Sequence, residues 1–346
     1  MNRPAPEARS AADGGTLAGG RRRAPFAGIG DAEWAALEAR LGPVHLRQRL
    51  GIEIERESRI FGQGINFFHI ENWYSVHGLI RGLLRISGLH ARGRRNARRI
   101  ELRENEVVLP GLAAAFDGYS ILHLSDVHLD MGPDMADVLA ARVADLSYDL
   151  CVITGDFRAR TFGPHRPAVE AMARVRRVLK GPVYAVLGNH DSIRMATGLE
   201  AMGIELLFNE HRTITRSRAR FHLLGIDDPH YYRADNLEKA LLGVDDSGPK
   251  ILLSHSPEIF RHAAHAGIDL MLCGHTHGGQ ICLPGQWPLL CNARSPRALC
   301  RGAWRHHGMQ GYTSAGSGAC IVDVRLNCPA EVTLHRLRPL GVATDS

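Results

Sequence analysis

The chain has 346 residues, of which 45% are apolar and 23% are charged, and it carries a formal net charge of +6. This composition is typical of a globular protein and excludes a chain that is disordered over most of its length. No stretch reaches the roughly 18 apolar residues of a membrane span, and the basic N-terminal stretch has no apolar core, so the sequence predicts neither a span nor a signal peptide.

The positive charge lies mainly in the N-terminal part of the chain. Residues 1–100 contain 17 arginines against nine acidic residues, so the rest of the chain is slightly acidic. Such a segment can bind nucleic acid or an anionic membrane surface, but no aromatic stacking motif accompanies the arginines, which argues against nucleic acid. We therefore expect a cytoplasmic protein, with attachment to the inner face of the cell membrane left open.

Cysteine usage argues against a disulfide framework. The seven cysteines are odd in number, and Cys151 and Cys273 lie in apolar, strand-like runs. Cys282, Cys291 and Cys300 recur every nine residues, as ligands in a zinc knuckle could, but none forms a CxxC pair. The sequence predicts free thiols.

The chain divides into three predicted parts. Residues 1–30 lack periodicity and are rich in Pro, Gly, Ala and Arg, which predicts a disordered tail. Residues 31–99 are predicted to form a helical extension, whose first helix runs from Asp31 to about Leu50. Residues 51–73 show no clear pattern. Residues 100–340 alternate strand-like and helical segments, which predicts the main domain of a layered α/β protein.

A second helix is predicted from Tyr74 to His90, because apolar residues recur there at helical spacing. The apolar positions are Val76, Leu79, Ile80, Leu83, Ile86 and Leu89. Residues 76–99 contain seven arginines and no acidic residue, a combination typical of helices that lie in an anionic membrane interface. The same apolar stripe could instead pack against the main domain, and three glycines weaken the helix. Both interpretations stay open at this point.

Five short clusters rich in Asp, His and Asn each follow an apolar, strand-like run in the main domain. They are residues 126–128 behind ILHLS, Asp156 behind DLCVIT, residues 189–191 behind VYAVL, His255 behind KILLS, and residues 275–277 behind DLMLC. In open α/β sheets, polar groups beyond the carboxyl ends of the strands converge on one site. Any one of these residues alone is typical of a turn or a surface, but the ordered set predicts a shared polar site.

The residue types in these clusters suit two divalent cations, which in such sites lie about 3.5 to 4 Å apart and share a bridging ligand. The residues predicted to hold the first cation are Asp126, His128, Asp156 and His277. Those predicted to hold the second, with Asp156 as the shared bridge, are Asn189, His255 and His275. Mixed imidazole and oxygen ligands suit Mn, Fe or Zn better than Ca or Mg alone.

His190 is predicted to donate a proton to the leaving oxygen or to stabilise charge on the transferring phosphoryl group. Asp191 is predicted to belong to the catalytic set with His190, by orienting it or another ligand. Four basic residues near the motifs are candidates for contact with substrate phosphate, with solvation at the surface as the alternative. They are Arg158, Arg160, His165 and Arg194. A further group behind the run FHLLGI is predicted to line the same cleft and consists of Asp227, Asp228 and His230.

The motifs DVH, GD, GNHD, SH and GHTH resemble, in the same order, the five motifs of the calcineurin-like metallophosphoesterases. The resemblance covers roughly residues 100–337. It implies a four-layer αββα sandwich, a dinuclear metal centre, the ligand roles given above and His190 as the catalytic histidine. The chain departs from the family pattern after the GD motif, where relatives commonly carry an acidic residue and this chain has Phe157 and Arg158. It also lacks the basic residue common near SAGSG (residues 314–318), which leaves the substrate open.

The stretch GHTHGGQICLPG resembles a bacterial subgroup often linked to membranes, some members of which cleave UDP-2,3-diacylglucosamine and others simpler phosphodiesters. We therefore expect metal-activated hydroxide to attack a phosphodiester or pyrophosphate bond, in a nucleotide- or lipid-linked substrate at the cytoplasmic membrane face. A nuclease or general phosphodiesterase is the alternative. A non-catalytic scaffold of the same fold ranks lower, because the chain keeps the whole set of residues.

Overall fold

The computed structural model describes the backbone of residues 29–62 and 74–341 and the side chains of residues 29–57 and 78–341. Nearly all of the predicted tail, residues 1–30, lies outside these ranges. No helix within them is both long enough and apolar enough to span a membrane.

The described part of the N-terminal extension is helical. Its helices are α1 (Asp31–Leu41), α2 (Pro43–Gly62), α3 (Tyr74–Ile86) and α4 (Leu89–Ala97). The single helix predicted from Asp31 is two helices, because Gly42 takes a φ of +80° and Pro43 then begins α2. The helix predicted to end at His90 ends at Ile86 instead, and Gly88 with a φ of +71° precedes α4.

The main domain contains the remaining elements. Its strands are β1 (Ile100–Leu109), β2 (Ser120–Leu124), β3 (Leu150–Ile153), β4 (Val183–Ala185), β5 (Ile204–Leu206), β6 (Glu210–Arg216), β7 (Ala219–Gly225), β8 (Lys250–Leu253), β9 (Leu270–Cys273), β10 (Cys282–Leu283), β11 (Trp287–Pro288), β12 (Gly302–His306), β13 (Met309–Thr313) and β14 (Ala330–Pro339). Its helices are α5 (Met135–Val143), α6 (Arg166–Arg176), α7 (Ala196–Ala201), α8 (Leu237–Leu241) and α9 (Phe260–His265).

Most of the strands form two six-stranded sheets. Sheet A has the order β1-β14-β2-β3-β4-β5, and sheet B has the order β12-β13-β9-β8-β7-β6. Strands β2 to β5 run parallel, as do β7, β8 and β9. Strand β1 pairs in parallel with β14, with Ile100 opposite Ala330, and is therefore an edge strand rather than a neighbour of β2.

The two sheets stack with their apolar faces together and with helices on both outer faces. Between the sheets lie side chains such as Ile121, Val152, Leu223 and Leu272. Helices α1, α2, α5, α6 and α7 cover the outer face of sheet A, and α8 and α9 cover that of sheet B. Because both faces of the central strands are buried, these strands read as continuous apolar runs. The fold is the expected α/β sandwich of four layers, αββα.

Helix α2 is tied to the main domain by a buried arginine. The Arg49 side chain is fully buried, and its Nε lies 3.4 Å from Asp227 Oδ1. Its Nη2 donates to the backbone oxygen of Asp191 at 3.0 Å, and its Nη1 donates to Glu53 at 2.9 Å. An unpaired charge at this depth is costly, so the contacts with Asp191 and Asp227 fix α2 against the loops that follow β4 and β7, and Glu53 adds a pair within the helix.

Helix α3 packs against the main domain with one face only. Leu84 and Ile80 contact an apolar cluster that includes Val322 and Leu326. On the other face Leu79, Leu83 and Ile86 are 62%, 59% and 87% exposed. The following helix is held more firmly, since Arg98 forms ion pairs with Asp134 and Asp323. One part of the predicted apolar stripe therefore packs on the domain, and another part faces outward.

Candidate metal centre and active site

The five polar clusters meet at one place in the fold. Strands β2, β3 and β4 of sheet A and strands β8 and β9 of sheet B end at the same edge of the sandwich, and each is followed by one cluster. All seven predicted ligand side chains are buried there. They form two groups that share Asp156.

The first group contains Asp126, His128, Asp156 and His277, whose donor atoms all lie within 4.8 Å of one another. His128 Nε2 is 3.2 Å from His277 Nε2, and His277 Nε2 is 3.4 Å from Asp126 Oδ1. Asp156 Oδ2 lies 3.8 Å from His128 Nε2. Metal–nitrogen and metal–oxygen bonds are about 2.0 to 2.2 Å long, so these atoms are close enough to share one cation.

The second group contains Asn189, His255 and His275 together with Asp156. Asn189 Oδ1 lies 2.8 Å from both His255 Nε2 and His275 Nδ1. The two imidazole nitrogens are 3.2 Å apart. Asp156 Oδ2 lies 3.3 Å from His255 Nε2, so a single carboxylate oxygen faces both groups. Asp156 therefore occupies the position that the sequence predicted for the bridging ligand.

The backbone is strained at most of these residues. Asp126, His128, Asp156, His275 and His277 all have positive φ angles, between 40° and 70°. For residues other than glycine this region is sparsely populated and costs free energy, and such residues concentrate at functional sites. The strain follows from turning each side chain back over its strand end.

Glycines next to the clusters allow the close approach. A Cβ on Gly188 would collide with the carboxylate of Asp156, and a Cβ on Gly274 would collide with Ser125 and Asp126. The GNHD and GHTH motifs therefore need glycine for space, as well as the polar residues for chemistry.

The hydrogen bonds of two histidines fix which nitrogen faces the site. His128 Nδ1 lies 2.7 Å from the backbone oxygen of Arg158, and His255 Nδ1 lies 2.8 Å from that of Thr154. A carbonyl only accepts, so both Nδ1 atoms carry a hydrogen and both Nε2 atoms face the donor groups. Nitrogen and oxygen donors this close together repel unless positive charge, a proton or a metal ion, lies between them. The donor set thus fits divalent metal ions.

The electrostatics of the pocket also favour a bound cation. Burial raises the pKa of Asp156 to about 7. Burial alone would lower the pKa of His255. The attraction of the nearby Asp156 carboxylate for the protonated ring has the larger effect and raises this pKa to about 10. Burial lowers the pKa of His128 to about 3, which keeps this imidazole neutral and able to act as a ligand. The carboxylates make this pocket attractive to positive charge.

His190 lies beside the first group. Its Nε2 is 3.9 Å from Asp156 Oδ2 and 3.6 Å from the Sγ of Cys320, and its Nδ1 is 3.4 Å from Thr161 Oγ1. Burial lowers the pKa of His190 well below its ordinary value. A neutral His190 can donate one N–H to a phosphoryl or leaving oxygen placed at the two groups.

Asp191 has a positioning role rather than a catalytic one. Its carboxylate accepts hydrogen bonds from the backbone N–H groups of Asp156, Phe157, Arg158 and Gly188, at 2.8 to 3.2 Å. These bonds hold the loop that carries the bridging carboxylate. The prediction that Asp191 orients another ligand fits this geometry, whereas a catalytic assignment does not.

The side chains of the four basic residues predicted to bind substrate lie outside the two groups. The guanidinium of Arg158 donates to the backbone oxygens of His190, Thr161 and Gly163 at 2.7 to 2.8 Å, so it braces a loop. His165 and Arg194 border a separate cavity of about 70 Å³ next to α2. Arg160 is exposed to solvent. Three of the five N–H donors of Arg158 bind backbone carbonyls, and the residue borders the same cavity as His165 and Arg194, so its contact with substrate stays a prediction.

The three residues that follow FHLLGI, which are Asp227, Asp228 and His230, have different positions relative to the site. Asp227 pairs with Arg49 and with His45, at 2.8 Å from His45 Nε2, so it anchors α2 and does not line the cleft. Asp228 accepts the backbone N–H groups of Tyr231 and Tyr232 and shapes a turn. His230 does reach the site, since its ring lies against that of His275 with centroids 4.1 Å apart.

A groove of about 350 Å³ opens onto the metal ligands. One wall carries polar residues that include Asp156, Asn189, His190 and His275. The other wall is apolar and is formed by Ile80, Leu83, Ile281, Leu289, Leu290 and Ile321. No arginine or lysine lines the groove among the described residues. The sequence predicted the residues of the polar wall and the apolar stripe of α3. It did not predict that residues 281–290 and 320–322 line the groove.

Comparison with known proteins agrees with this site. Residues 119–279 match the family model of calcineurin-like phosphoesterases. The uncharacterized metallophosphoesterase YkoQ of Bacillus subtilis is 31% identical over 228 residues, covering 63% of this chain and 83% of YkoQ. The phosphodiesterase YaeI of Escherichia coli is 28% identical over 236 residues, covering 63% of this chain and 82% of YaeI.

Some relatives are longer. A transmembrane protein with a metallophosphoesterase domain from Danio rerio is 30% identical over 248 residues, which cover 66% of this chain and 55% of that protein. This chain thus spans about half the length of that relative. With the motif residues assembled around one pocket and this degree of identity to YkoQ, the chain belongs to the calcineurin-like phosphoesterase family and is a metal-dependent phosphoric ester hydrolase.

Proposed function

We propose that the protein uses two divalent cations to hydrolyse a phosphodiester or pyrophosphate bond in a lipid-linked substrate, at the cytoplasmic face of a membrane. The observation that carries this proposal is the groove with two unlike walls. Its polar wall holds the proposed ligands, and its apolar wall begins within the same cavity. A substrate with a phosphate beside an acyl chain matches both walls, because each wall would bury the part of the substrate that it resembles.

The chain's own residues supply the remaining chemistry. When bound, two divalent cations neutralise phosphate charge and activate a water molecule. Asp126, His128 and His277 would hold one cation, Asn189, His255 and His275 would hold the other, and Asp156 lies between the two groups. His190 donates an N–H to the transferring phosphoryl group or to the leaving oxygen. Asp191 keeps the Asp156 loop in place through its four backbone contacts.

Surface residues around the groove support a membrane location. Leu83 of α3 and Leu289 and Leu290, which follow β11, line the groove and are about half exposed. Leu79 on α3 and Trp287 in β11 are exposed on the same two elements. Exposed apolar groups on two separate elements are typical of a surface that contacts another apolar phase.

The charge of α3 and α4 indicates which kind of surface they would contact. Arg81 and Arg85 on α3 and Arg92 and Arg95 on α4 are exposed, and residues 76–99 contain no acidic side chain. Basic residues beside an apolar face bind bilayers that contain anionic lipid. The Danio rerio relative is a transmembrane protein, which agrees with such a location. The occupant proposed for this surface is therefore an anionic lipid bilayer.

A nuclease is the second candidate, and the groove argues against it. Proteins that follow a nucleic-acid backbone line the path with Lys or Arg and stack bases on aromatic rings. The groove has an apolar wall instead, and its described lining contains no basic residue.

The test compares two substrates that differ only in their acyl chains. Purified full-length protein with manganese is assayed on UDP-2,3-diacylglucosamine in mixed micelles and on the unacylated UDP-glucosamine, with bis-p-nitrophenyl phosphate as a soluble reference. We expect the acylated compound to have the higher kcat/KM, and Leu290→Asp to reduce that advantage. Leu242→Asp, at an exposed leucine outside the groove, is the matched control. Equal kcat/KM for the two sugar nucleotides would rule out the lipid-linked substrate, while turnover of the reference compound would still support the hydrolase.

A further inference from the structure

The groove contains one sulfur atom close to the proposed ligands. The thiol of Cys320, at 6% exposure, belongs with His128 and His277 to a group whose donor atoms all lie within 4.8 Å of one another. The same Sγ lies 3.6 Å from His190 Nε2. No motif marks this cysteine, which follows the glycine-rich turn of residues 314–318.

The position of Cys320 is set by the loop that carries two of the ligands. Its backbone N–H donates to Gln280 Oε1 at 2.8 Å. Gln280 Nε2 in turn donates to the backbone oxygens of Cys320 and Val322, at 2.7 and 2.9 Å. Gln280 follows directly on the GHTHGG stretch that contains His275 and His277. The amide of Gln280 thus locks the cysteine backbone to the histidine loop on both sides of the thiol.

We propose that Cys320 Sγ is an additional ligand of the cation held by Asp126, His128 and His277. The assignment rests on the proposed two-metal function and extends it. On binding, the thiol loses its proton to solvent and a thiolate–metal bond forms, with no change in oxidation state. The thiol lies within reach of both imidazoles of this group, and Asp126 and Asp156 surround the same two imidazoles.

A thiolate at this position makes the two cation positions chemically different. Sulfur is a soft ligand that favours Zn, Fe(II) or Co(II) over Mg or Mn. The Asn189, His255 and His275 position has an amide oxygen and two imidazoles, and Cys320 is not among the donor atoms close to it. The position near Cys320 should therefore select the softer metal.

Cobalt titration of the metal-stripped, full-length protein tests the assignment by absorption spectroscopy, without any assay of activity. A thiolate ligand gives Co(II) an intense near-ultraviolet charge-transfer band in addition to its visible d–d bands. We expect this band in the wild-type protein and its loss in Cys320→Ser, with cobalt uptake and the d–d bands retained. Cys151→Ala is the control, since Cys151 is buried within β3 and contacts no ligand.

The outcomes separate this assignment from the proposed function. Uptake of two cobalt ions without the charge-transfer band, or with a band that persists in Cys320→Ser, overturns the role of Cys320 and leaves the two-metal centre intact. Failure to take up cobalt overturns both. Because Cys320→Ser could fail to fold, X-ray absorption of the zinc-loaded wild-type protein provides a second measurement. A sulfur neighbour at about 2.3 Å is expected, and its absence contradicts the assignment.

Discussion

The two walls of the groove are built in different ways. On the polar wall, strained backbone angles and backbone hydrogen bonds fix each side chain, as for Asp156 with its φ of +58°. On the apolar wall, the side chains of Leu83, Leu289 and Leu290 are about half exposed to solvent. A wall that must place charges within fractions of an ångström needs such fixing, whereas a wall that only excludes water does not. Substitutions should therefore affect chemistry on one wall and recognition on the other.

The largest effect is expected from Asp156→Asn, which removes the shared carboxylate of the polar wall. Both cation positions lose a charged ligand, so we expect loss of bound metal and no detectable hydrolysis of bis-p-nitrophenyl phosphate. Metal content is measured by elemental analysis of the purified variant. Asp145→Asn, at an exposed site, is the isosteric control. Two metals per chain together with normal turnover in Asp156→Asn would disprove the bridging role.

His190→Ala should separate chemistry from metal binding on the same wall. The variant retains the backbone N–H that donates to Asp156 Oδ1 at 2.9 Å, so the metal content should not change. Turnover should fall by about 10²- to 10³-fold, the usual cost of removing one hydrogen-bond donor to a transition state. His307→Ala, at an exposed histidine, serves as the control. An unchanged kcat would exclude His190 from the reaction.

Asp191→Asn should weaken the polar wall without removing any ligand. The amide keeps one acceptor oxygen, but its NH₂ group faces backbone donors where the carboxylate now accepts. Metal affinity should fall by about 10- to 100-fold, as for other residues that support ligands. Competition with a chromophoric chelator measures this change. Wild-type affinity would mean that the loop holds Asp156 without Asp191.

Leu83→Asp is expected to have the smallest effect, and it acts on the apolar wall. Binding to vesicles with anionic lipid should weaken roughly tenfold, because burying a leucine is worth about 1.5 kcal/mol or more. Hydrolysis of the soluble reference substrate and the unfolding free energy, measured in urea, should be nearly unchanged. Vesicle binding equal to that of Leu242→Asp would show that α3 does not contact the bilayer.

The sequence predicted the polar wall far better than the apolar wall. Motifs such as GNHD and GHTH gave the ligands because parallel strand ends converge, whichever sheet each strand belongs to. The apolar wall depends on which face of α3 docks, and a periodic stripe around Leu79 and Leu84 does not reveal this. The sequence did not predict that Cys320 lies near His277, because this position depends on the hydrogen bonds of Gln280.

The sequence also did not predict where the helices end or which arginines are buried. Gly42 and Gly88 were visible as weak points, but only their positive φ angles show that the helices end there. Arg158 and Arg49 look alike as surface arginines in an Arg-rich chain. One braces a loop through backbone carbonyls and the other pairs with Asp227, because tertiary contacts decide which arginines are buried.

The proposed ligands come from both halves of the sandwich. Asp126, His128, Asp156 and Asn189 follow strands of sheet A, whereas His255, His275 and His277 follow strands of sheet B. Cations held between them would act as a cross-link that resists sliding of one layer over the other, and binding to the folded state alone stabilises it by mass action. The supply of metal would then govern how long each molecule survives in the cell, as well as how fast it works.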